Sequence, residues 1–289
     1  MRKSPGRCAQ LACILEVMAR KAGNVHPGRA FDDLTHLDFL ASAAAIVPAM
    51  DADEPLGRTI LQAVEATRAV VSTNANLGII LLLAPLAAAT RASSLRAGVE
   101  AVLAATTVAD SADVYRAIRL ANPGGLGRAE QEDVRDEPSK PLRDVMTLAA
   151  DRDLVARQYA NGFREVWDAG VPLLSDDWQK HGTLERAIVR CQLGLMAAFP
   201  DTLILRKAGS EVARLSSVRA ADVLEPGWPE TPASRRAFAD FDAWLRADGR
   251  RRNPGATADL VTACLFVALW QDTIPWHDYF RPFAGLDYA

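Results

Sequence analysis

Hydrophobic residues recur along this chain at spacings of three and four, the period of one face of an α-helix. The first such stripe contains Leu11, Ile14, Leu15 and Met18. Further stripes run over residues 37–44, 60–71, 95–102, 142–149, 155–166, 184–195 and 260–267. No stretch alternates apolar and polar residues between turn residues, as a half-buried strand would. The pattern predicts an all-α protein, a multi-helix bundle of about ten to twelve helices at the usual mean helix length.

Segments rich in glycine and proline separate these stripes. Residues 23–28 are expected to end the first helix, and residues 122–141 to form a long polar loop. Shorter turns are expected at 170–172 and 225–229. None of these segments is long enough or biased enough in composition to be a linker between domains, and the chain has no internal repeat. We therefore expect one helical domain over residues 1–289.

The overall composition narrows the classes of ligand. Hydrophobic residues make up 49% of the chain and charged residues 24%, which is ordinary for a globular protein in water. The formal net charge of −3 gives no general attraction to nucleic acid or to an acidic membrane. We therefore expect small-molecule partners and neither a nucleic acid nor a membrane. A polyphosphate ligand would need a local basic cluster.

The start of the chain, its most apolar run and its cysteines favour a cytoplasmic location. The segment after the basic start is interrupted by Glu16 and Arg20, unlike a signal peptide. Residues 77–89 contain Pro85 and are too few to span a bilayer, so we expect a buried central helix. The four cysteines form no CxxC pair, which disfavours a zinc site and fits a reducing compartment.

A polar segment at residues 19–27 interrupts the apolar pattern near the start and is a candidate binding site. It contains Lys21, Gly23, Asn24 and His26. A backbone that turns freely at a glycine, flanked by lysine, histidine and amide groups, suits an anion or nucleotide. The alternative is helix capping, with Lys21 near the last carbonyl groups and Gly23 in the left-handed conformation. An exposed lysine at a helix end would contribute little to stability.

A second polar segment, residues 73–78, precedes the most apolar helix. Asn74 and Asn76 lie in it, and Gly78 follows them. A helix N-terminus beside free amide donors is a natural place for a phosphate group. The alternative is that one asparagine caps the helix, which explains one of the two but not both. We expect both polar segments, together with Asp38, to line one cleft.

The two polar segments resemble the ATP:dephospho-CoA triphosphoribosyltransferase family. The family carries a stretch similar to Ala-Arg-Lys-Pro-Gly at residues 19–23, where this chain has Ala22 in place of the proline. It carries an Asp-Phe pair at Asp38. It reads Asn-Thr-His-Lys-Gly at residues 74–78, where this chain has Asn76 in place of the histidine and Leu77 in place of the lysine.

Shorter matches continue in the same order along nearly the whole chain. They are Gly162-Phe163 followed by Gly170 and Pro172, Asp201-Thr202 with Arg206 and Gly209, and the segment from Asn253 through Pro254-Gly255 to Ala258-Asp259-Leu260. Their common order is stronger evidence than any single motif, because a lone Pro-Gly before Ala-Asp-Leu also describes an ordinary helix start.

The resemblance implies transfer of the 5-triphosphoribosyl group of ATP to 3′-dephospho-CoA with release of adenine. ATP is then a substrate, and the reaction is a displacement at an anomeric carbon through an oxocarbenium-like transition state. The resemblance implies substrate binding by Lys21, Gly23, Asn24, His26, Asn74, Asn76, Gly78, Arg206 and Lys207. It implies Asp38, Asp201 and Asp259 as the catalytic carboxylates, with Mg²⁺ on Asp38 and Asp259. The sequence does not divide the roles of base, charge stabiliser and metal ligand among the three.

Two other functions stay open. One is a divergent enzyme that makes a one-carbon carrier cofactor of the methanopterin or methanofuran type. The other is a helical binding or scaffold protein without catalysis. The missing lysine at Leu77 favours both alternatives, whereas Lys21, Asp38, Asp201 and Asp259 argue against the scaffold. The sequence does not decide the acceptor, the metal or the oligomeric state, for which a homodimer is one candidate.

Overall fold

The computed structural model describes residues 3–124 and 127–275, and these contain fifteen α-helices and one π-helical turn without a β-strand. The helices are α1 Pro5–Met18, α2 His36–Ala45, α3 Val47–Asp51, α4 Leu56–Val70, α5 Leu77–Ala89, α6 Leu95–Ala104, α7 Val108–Ala121, α8 Leu142–Ala149, α9 Leu154–Asn161, α10 Val171–His181, α11 Leu184–Ala198, α12 Thr202–Ala208, α13 Ser210–Leu224, α14 Pro232–Arg246 and α15 Gly255–Trp270. The π-helical turn, Val166–Gly170, directly precedes α10. The all-α prediction is confirmed, and the helices outnumber the expected ten to twelve.

One reason for the higher count is a break inside the stripe at residues 155–166. Helix α9 ends at Asn161 because Gly162 and Phe163 both have left-handed backbone conformations, with φ of 70° and 65°. The amides of both residues donate to the carbonyl oxygen of Gln158, which closes the helix end. The sequence shows the hydrophobic period continuing through this point, so periodicity alone did not reveal the break.

The chain divides into two compact units. The first contains the residues up to 14 and residues 37–165, and the second contains residues 15–36 and the residues from 166 onward. Helix α1 therefore contributes its first part to one unit and its last turn to the other. The single domain over residues 1–289 stays a prediction.

In the first unit, α4 and α7 pack closely at their N-terminal ends. The amide of Gly57 donates to Oδ1 of Asp110 over 2.7 Å. A Cβ at position 57 would lie 2.5 Å from the Cα of Asp110, so only glycine permits this approach. Oδ2 of the same carboxylate accepts from the amide and the hydroxyl of Thr107, the N-cap of α7. One buried carboxylate thus fixes the start of one helix against another.

Helix α5 is the apolar centre of the first unit and carries a proline in its interior. Pro85 has no N–H group, so the carbonyl oxygen of Leu81, four residues earlier, lacks its usual helical donor. The hydroxyl of Tyr159, on α9, donates to that oxygen over 2.6 Å. Tyr159 is fully buried, and burial raises the pKa of its hydroxyl far above the ordinary value. The tyrosine replaces the hydrogen bond that the proline removes.

The second unit has a separate apolar core. Its cluster combines residues of α11, α13 and α14 with Ala22 from the first polar segment, and its largest fully buried side chain is Trp228. Helix α15 contacts α10, α11 and α12 and buries nearly all of its residues from Leu260 to Leu269. The N-terminal end of this buried helix is where several of the candidate site residues lie.

No single helix among the described residues is long and apolar enough to cross a membrane. Helices α11 and α12 meet the criterion only when taken together, and they are bent by 59° at the break between them.

We predict that Tyr159→Phe lowers the free energy of unfolding by about 1–3 kcal/mol, because it leaves the buried carbonyl oxygen of Leu81 without a donor. Urea unfolding followed by circular dichroism measures the loss. In a Pro85→Ala background the restored N–H group serves that oxygen, so the same substitution should cost clearly less. An equal loss in both backgrounds would contradict the proposed replacement.

Candidate functional site

The two units divide the predicted site residues between them. Asp38, Asn74, Asn76 and Gly78 belong to the first unit. The second unit holds Lys21, Gly23, Asn24, His26, Asp201, Arg206, Lys207 and Asp259. Within the second unit, the structure brings the first polar segment to the start of α15 and places the start of α12 there too. The single cleft lined by both polar segments stays a prediction.

Gly23 holds the turn of the first polar segment in a conformation that other residues avoid. Helix α1 ends at Met18, earlier than the glycine-rich segment suggested, and Gly23 has φ of 72°. A Cβ at this position would lie 2.8 Å from the side chain of Leu245 and 2.9 Å from that of Pro254. The amide of Gly23 donates to Oδ1 of Asp242 over 2.7 Å. Both backbone angle and packing therefore require glycine here.

The side chain of Asn24 is fully engaged by its own chain. Its Nδ2 donates to Oδ1 of Asn253 over 2.9 Å and to the carbonyl oxygen of Pro254 over 3.4 Å. Its Oδ1 accepts from Nε2 of Gln192 over 2.8 Å, and Gln192 also binds the backbone of Ala22 through both amide atoms. Asn24 thus ties the polar segment to α11 and to the residues just before α15. Its predicted role as a ligand donor would require one of these bonds to open.

Asp201 joins the first turns of two helices. Its Oδ1 accepts from the amides of Leu203 and Ile204, over 2.8 and 3.0 Å, and so caps α12. Its Oδ2 accepts from the amide and the hydroxyl of Thr257 on α15, over 2.7 and 2.8 Å. Complete burial raises the pKa of this carboxyl group, against the lowering effect of the hydrogen bonds. The geometry describes a positioning residue, and the place of Asp201 among the three catalytic carboxylates stays a prediction.

The expectation that Lys21 is an exposed helix-end lysine is wrong. Its side chain is fully buried, and Nζ lies 3.0 Å from Oε1 of Glu16, itself almost completely buried. Nζ also donates to the carbonyl oxygens of Glu16 and Ala19. Burial raises the pKa of the Glu16 carboxyl group, and the ammonium of Lys21 opposes that rise. Lys21 therefore neutralises a buried carboxylate and closes the end of α1, which is the capping alternative.

We predict that Lys21→Met lowers the free energy of unfolding by about 3–5 kcal/mol, because it leaves the Glu16 carboxylate buried without its cation. Thermal unfolding followed by circular dichroism measures the effect. The double variant Glu16→Leu with Lys21→Met removes both charges and should recover most of the loss. Lys180→Met, at an exposed lysine of α10, is the matched control. Superimposable melting curves for wild type and Lys21→Met would contradict the buried pair.

The ring of His26 is held as a neutral hydrogen-bond donor. Its Nδ1 accepts from the amide of Gly28 over 3.2 Å, so the proton of the neutral ring lies on Nε2. The residue is 8% exposed, and burial lowers its pKa to about 4. The charges of Arg246 and Lys21 lower the pKa further, that of Asp242 opposes them, and that of Arg20 has a smaller lowering effect. At neutral pH, His26 can offer an N–H group but no positive charge.

We predict that His26 makes the protein less stable as the pH falls from 6.5 to 4. In this range the unfolded chain binds a proton at position 26 and the folded chain does not, so protonation favours unfolding. The contribution is fully present above pH 6.5 and amounts to at most about 3 kcal/mol. Urea unfolding of wild type and His26→Asn at pH 7 and pH 4.5 measures it, since asparagine can still accept from the amide of Gly28.

The stability of wild type relative to His26→Asn should decrease between these two pH values. A wild-type advantage that is independent of pH would contradict the lowered pKa.

The second polar segment supplies the start of α5. The amide of Leu77 donates to Oδ1 of Asn74 over 3.2 Å, which caps the helix from three residues before it. Asn76 occupies the N-cap position, but its side chain does not cap. Its Nδ2 donates instead to the hydroxyl of Thr67, on α4, over 3.2 Å. One asparagine therefore caps and the other joins two helices, which accounts for both without a ligand.

Two predicted carboxylates lie near helix starts. Asp38 is in the first turn of α2, and Asp259 is near the start of α15, where it is partly exposed. Among the described residues, no group of three or more His, Cys, Asp and Glu side chains is arranged to hold a metal ion. The magnesium site predicted on Asp38 and Asp259 therefore has no cage of protein ligands within either unit.

A group of basic residues lies between the end of α12 and the loop before α15. Arg206 and Lys207 are in the last turn of α12. The guanidinium of Arg251 donates to the carbonyl oxygen of Lys207 over 3.2 and 3.0 Å. Arg250 pairs with Asp33 and lies over the ring of Phe31, 5.3 Å from its centroid. The run Arg250-Arg251-Arg252, which we call the arginine loop, is visible in the sequence, but no motif there marks it as a binding segment.

Comparison with known protein families gives a match over most of the chain. The family model described as ATP:dephospho-CoA triphosphoribosyl transferase matches residues 2–277. A "Probable 2-(5″-triphosphoribosyl)-3′-dephosphocoenzyme-A synthase" of Pseudomonas savastanoi pv. phaseolicola is 30% identical over 134 residues, which are 43% of this chain and 45% of that protein. A "2-(5″-triphosphoribosyl)-3′-dephosphocoenzyme-A synthase" of Klebsiella pneumoniae is 29% identical over 113 residues, 39% of this chain and 40% of that protein. These matches span less than half the length of either relative.

A solved structure shares the fold more extensively. It is the crystal structure of a candidate triphosphoribosyl-dephospho-CoA synthase from Archaeoglobus fulgidus, and it superposes with a TM-score of 0.62 at 28% sequence identity. The superposition covers 79% of this chain and 97% of that one.

Proposed function

Because the chain belongs to the ATP:dephospho-CoA triphosphoribosyl transferase family, we propose that it transfers the 5-triphosphoribosyl group of ATP to 3′-dephospho-CoA and releases adenine. The single observation that supports this most is the family match over residues 2–277. The relatives named above are described as synthases of this product. Their matched segments are shorter, so the acceptor is part of the proposal.

The proposed reaction breaks the bond between the anomeric carbon of ATP and its adenine and forms a bond from that carbon to an acceptor hydroxyl. The hydroxyl proton passes to a base, and adenine takes up a proton as it leaves. After the first bond has begun to break and before the second is complete, positive charge develops on the ribose. A nearby carboxylate stabilises that charge. The protein must also hold three phosphate groups and exclude water from the reactive ribose.

The environments of the candidate residues divide them into two groups. Lys21, Asn24 and Asp201 are buried and bound to their own chain, which supports positioning roles. The second group is at least partly accessible and can serve the reaction. Its carboxylates can stabilise the charge on the ribose and accept the proton. Its basic groups can bind phosphate, and its neutral donors can bind adenine or ribose. This group contains Asp38, Asp259, Arg206, Lys207 and Asn74. His26 is buried and joins the group only through the N–H group of its neutral ring.

Magnesium is expected to enter with the triphosphate. Mg²⁺ is commonly held by one or two carboxylates together with substrate phosphates, and less often by a cage of protein ligands alone. The lack of such a cage among the described residues agrees with the first arrangement. Asp38 and Asp259 stay the predicted protein ligands, and none of the steps above depends on the ion.

The departure at Leu77 keeps a second function open. Leu77 is 8% exposed and carries no charge where the family resemblance has a lysine. A divergent enzyme with another acceptor, of the one-carbon carrier cofactor type, would accommodate this change. The binding or scaffold protein is the third candidate. A cytoplasmic location and a homodimer stay predictions.

Incubation of the protein with ATP, Mg²⁺ and dephospho-CoA, followed by chromatography of free adenine, tests the proposed function. Adenine release that requires dephospho-CoA is the expected result. Adenine release with a pterin-type acceptor but not with dephospho-CoA would select the divergent enzyme. Nucleotide binding without release of adenine from ATP, whichever acceptor is supplied, would select the binding protein.

We predict that Asp259→Asn abolishes adenine release while the protein stays folded. The substitution is nearly isosteric, so it removes the charge and keeps the shape. As a mere complement to the helix N-terminus, this carboxylate would contribute only about 0.3–1 kcal/mol of stability. Asp240→Asn, at an exposed aspartate of α14, is the control. Full activity in Asp259→Asn would remove Asp259 from the catalytic residues.

A further inference from the structure

We propose that Lys207, Arg250 and Arg251 form a binding site for the phosphate chain of a nucleoside triphosphate, which we call the basic loop site. The site lies wholly within the second unit, between the last turn of α12 and the loop before α15. Two of its three members come from a loop that no family motif selected. The identification of the ligand as the triphosphate of ATP rests on the proposed function, whereas its anionic character rests on the geometry.

The arginine loop is in direct contact with the end of α12. The guanidinium of Arg251 donates twice to the carbonyl oxygen of Lys207, through Nε over 3.2 Å and through Nη2 over 3.0 Å. These bonds satisfy a carbonyl group at the C-terminal end of α12 and fix the arginine loop to it. The side chain of Arg251 is 60% exposed, and its Nη1 also pairs with Asp248 over 3.5 Å. The side chain of Arg251 therefore holds the loop beside Lys207.

Lys207 lies close to other positively charged side chains. Its side chain is partly buried, and its Nζ has no hydrogen-bond or ion-pair partner within residues 3–124 and 127–275. Burial lowers the pKa of Lys207, and the positive charges of Arg250 and Arg206 lower it further. The carboxylates of Asp201 and Asp33 oppose this only in part. Positive groups held close together repel each other, and a bound anion relieves that repulsion.

The guanidinium groups of Arg250 and Arg251 are held in fixed orientations by their neighbours. The guanidinium of Arg250 pairs with Asp33 and lies over the ring of Phe31, so its plane is fixed from two sides. Arg251 is fixed by the carbonyl oxygen of Lys207. A planar guanidinium held in this way presents paired N–H groups to phosphate oxygens at little cost in side-chain entropy. The ammonium of Lys207 adds a point charge.

A compact phosphate chain fits this site better than a nucleic acid does. The chain has a formal net charge of −3, which gives no general attraction to nucleic acid. The three members are confined to one helix end and one short loop. A triphosphate concentrates several negative charges in a comparable span.

Isothermal titration calorimetry with inorganic tripolyphosphate, without Mg²⁺, tests the site directly. Lys207→Gln should weaken binding at least tenfold, and the double variant with Arg250→Gln about a hundredfold. Arg214→Gln, at an exposed arginine of α13, makes the same charge change and should alter the affinity less than twofold. Lys207→Gln breaks no described hydrogen bond, so it should keep the wild-type melting temperature. Arg250→Lys retains the charge and should bind more tightly than Arg250→Gln.

Equal tripolyphosphate affinity in wild type and Lys207→Gln would overturn the basic loop site. Tighter binding of a single-stranded RNA than of tripolyphosphate, with the same dependence on Lys207, would also overturn it.

Adenine-release assays separate the basic loop site from the proposed function. Binding that depends on Lys207 without adenine release would refute the proposed function and leave the site standing. Adenine release with a KM for ATP unchanged in Lys207→Gln would refute the site and leave the function standing.

Discussion

The second unit depends on the carboxylate of Asp201, whose two oxygens hold the first turns of α12 and α15 together. Because Oδ1 serves one helix and Oδ2 the other, neither helix can move without breaking buried hydrogen bonds. Asn24 extends the same framework, since its amide binds Asn253 and Pro254 immediately before α15. Within the second unit, the first polar segment, the start of α12 and the segment from Asn253 to Leu260 therefore meet at the start of one buried helix. The polar side chains of Asn24 and Asp201 hold the backbone there.

The sequence predicted the helices well because burial and helical period act on the same residues. It predicted their ends less well. The end of α9 depends on the left-handed conformations of Gly162 and Phe163, and nothing in the apolar pattern reports the second of these. The replacement of a missing N–H group by Tyr159 was equally invisible, because the two partners are 78 positions apart. Local patterns predict local structure, whereas these features are set by tertiary contacts.

The candidate site was predictable as a set of segments but not as a set of roles. Lys21 looked like an exposed cation because its partner, Glu16, lies five positions earlier, a spacing that no helical rule pairs. Asn24 and Asp201 looked available because Gln192 and Thr257, which bind them, lie far away in the sequence. The arginine loop was not predicted as a binding segment, because its sequence looks like an ordinary surface. A run of charges usually marks a solvated surface, and only its contact with the end of α12 distinguishes it here.

The position of Leu77 connects the departure from the family pattern to the basic loop. A leucine that is 8% exposed cannot neutralise a phosphate group, so a triphosphate bound by this chain must find its positive charge elsewhere. The ammonium of Lys21 is a poor source of that charge, because Glu16 already balances it in a buried pair. Lys207 is only partly buried, has positive neighbours, and lies next to an arginine loop that its own carbonyl oxygen holds in place. The physical requirement for charge neutralisation thus favours the residues at the end of α12 over those at the end of α1.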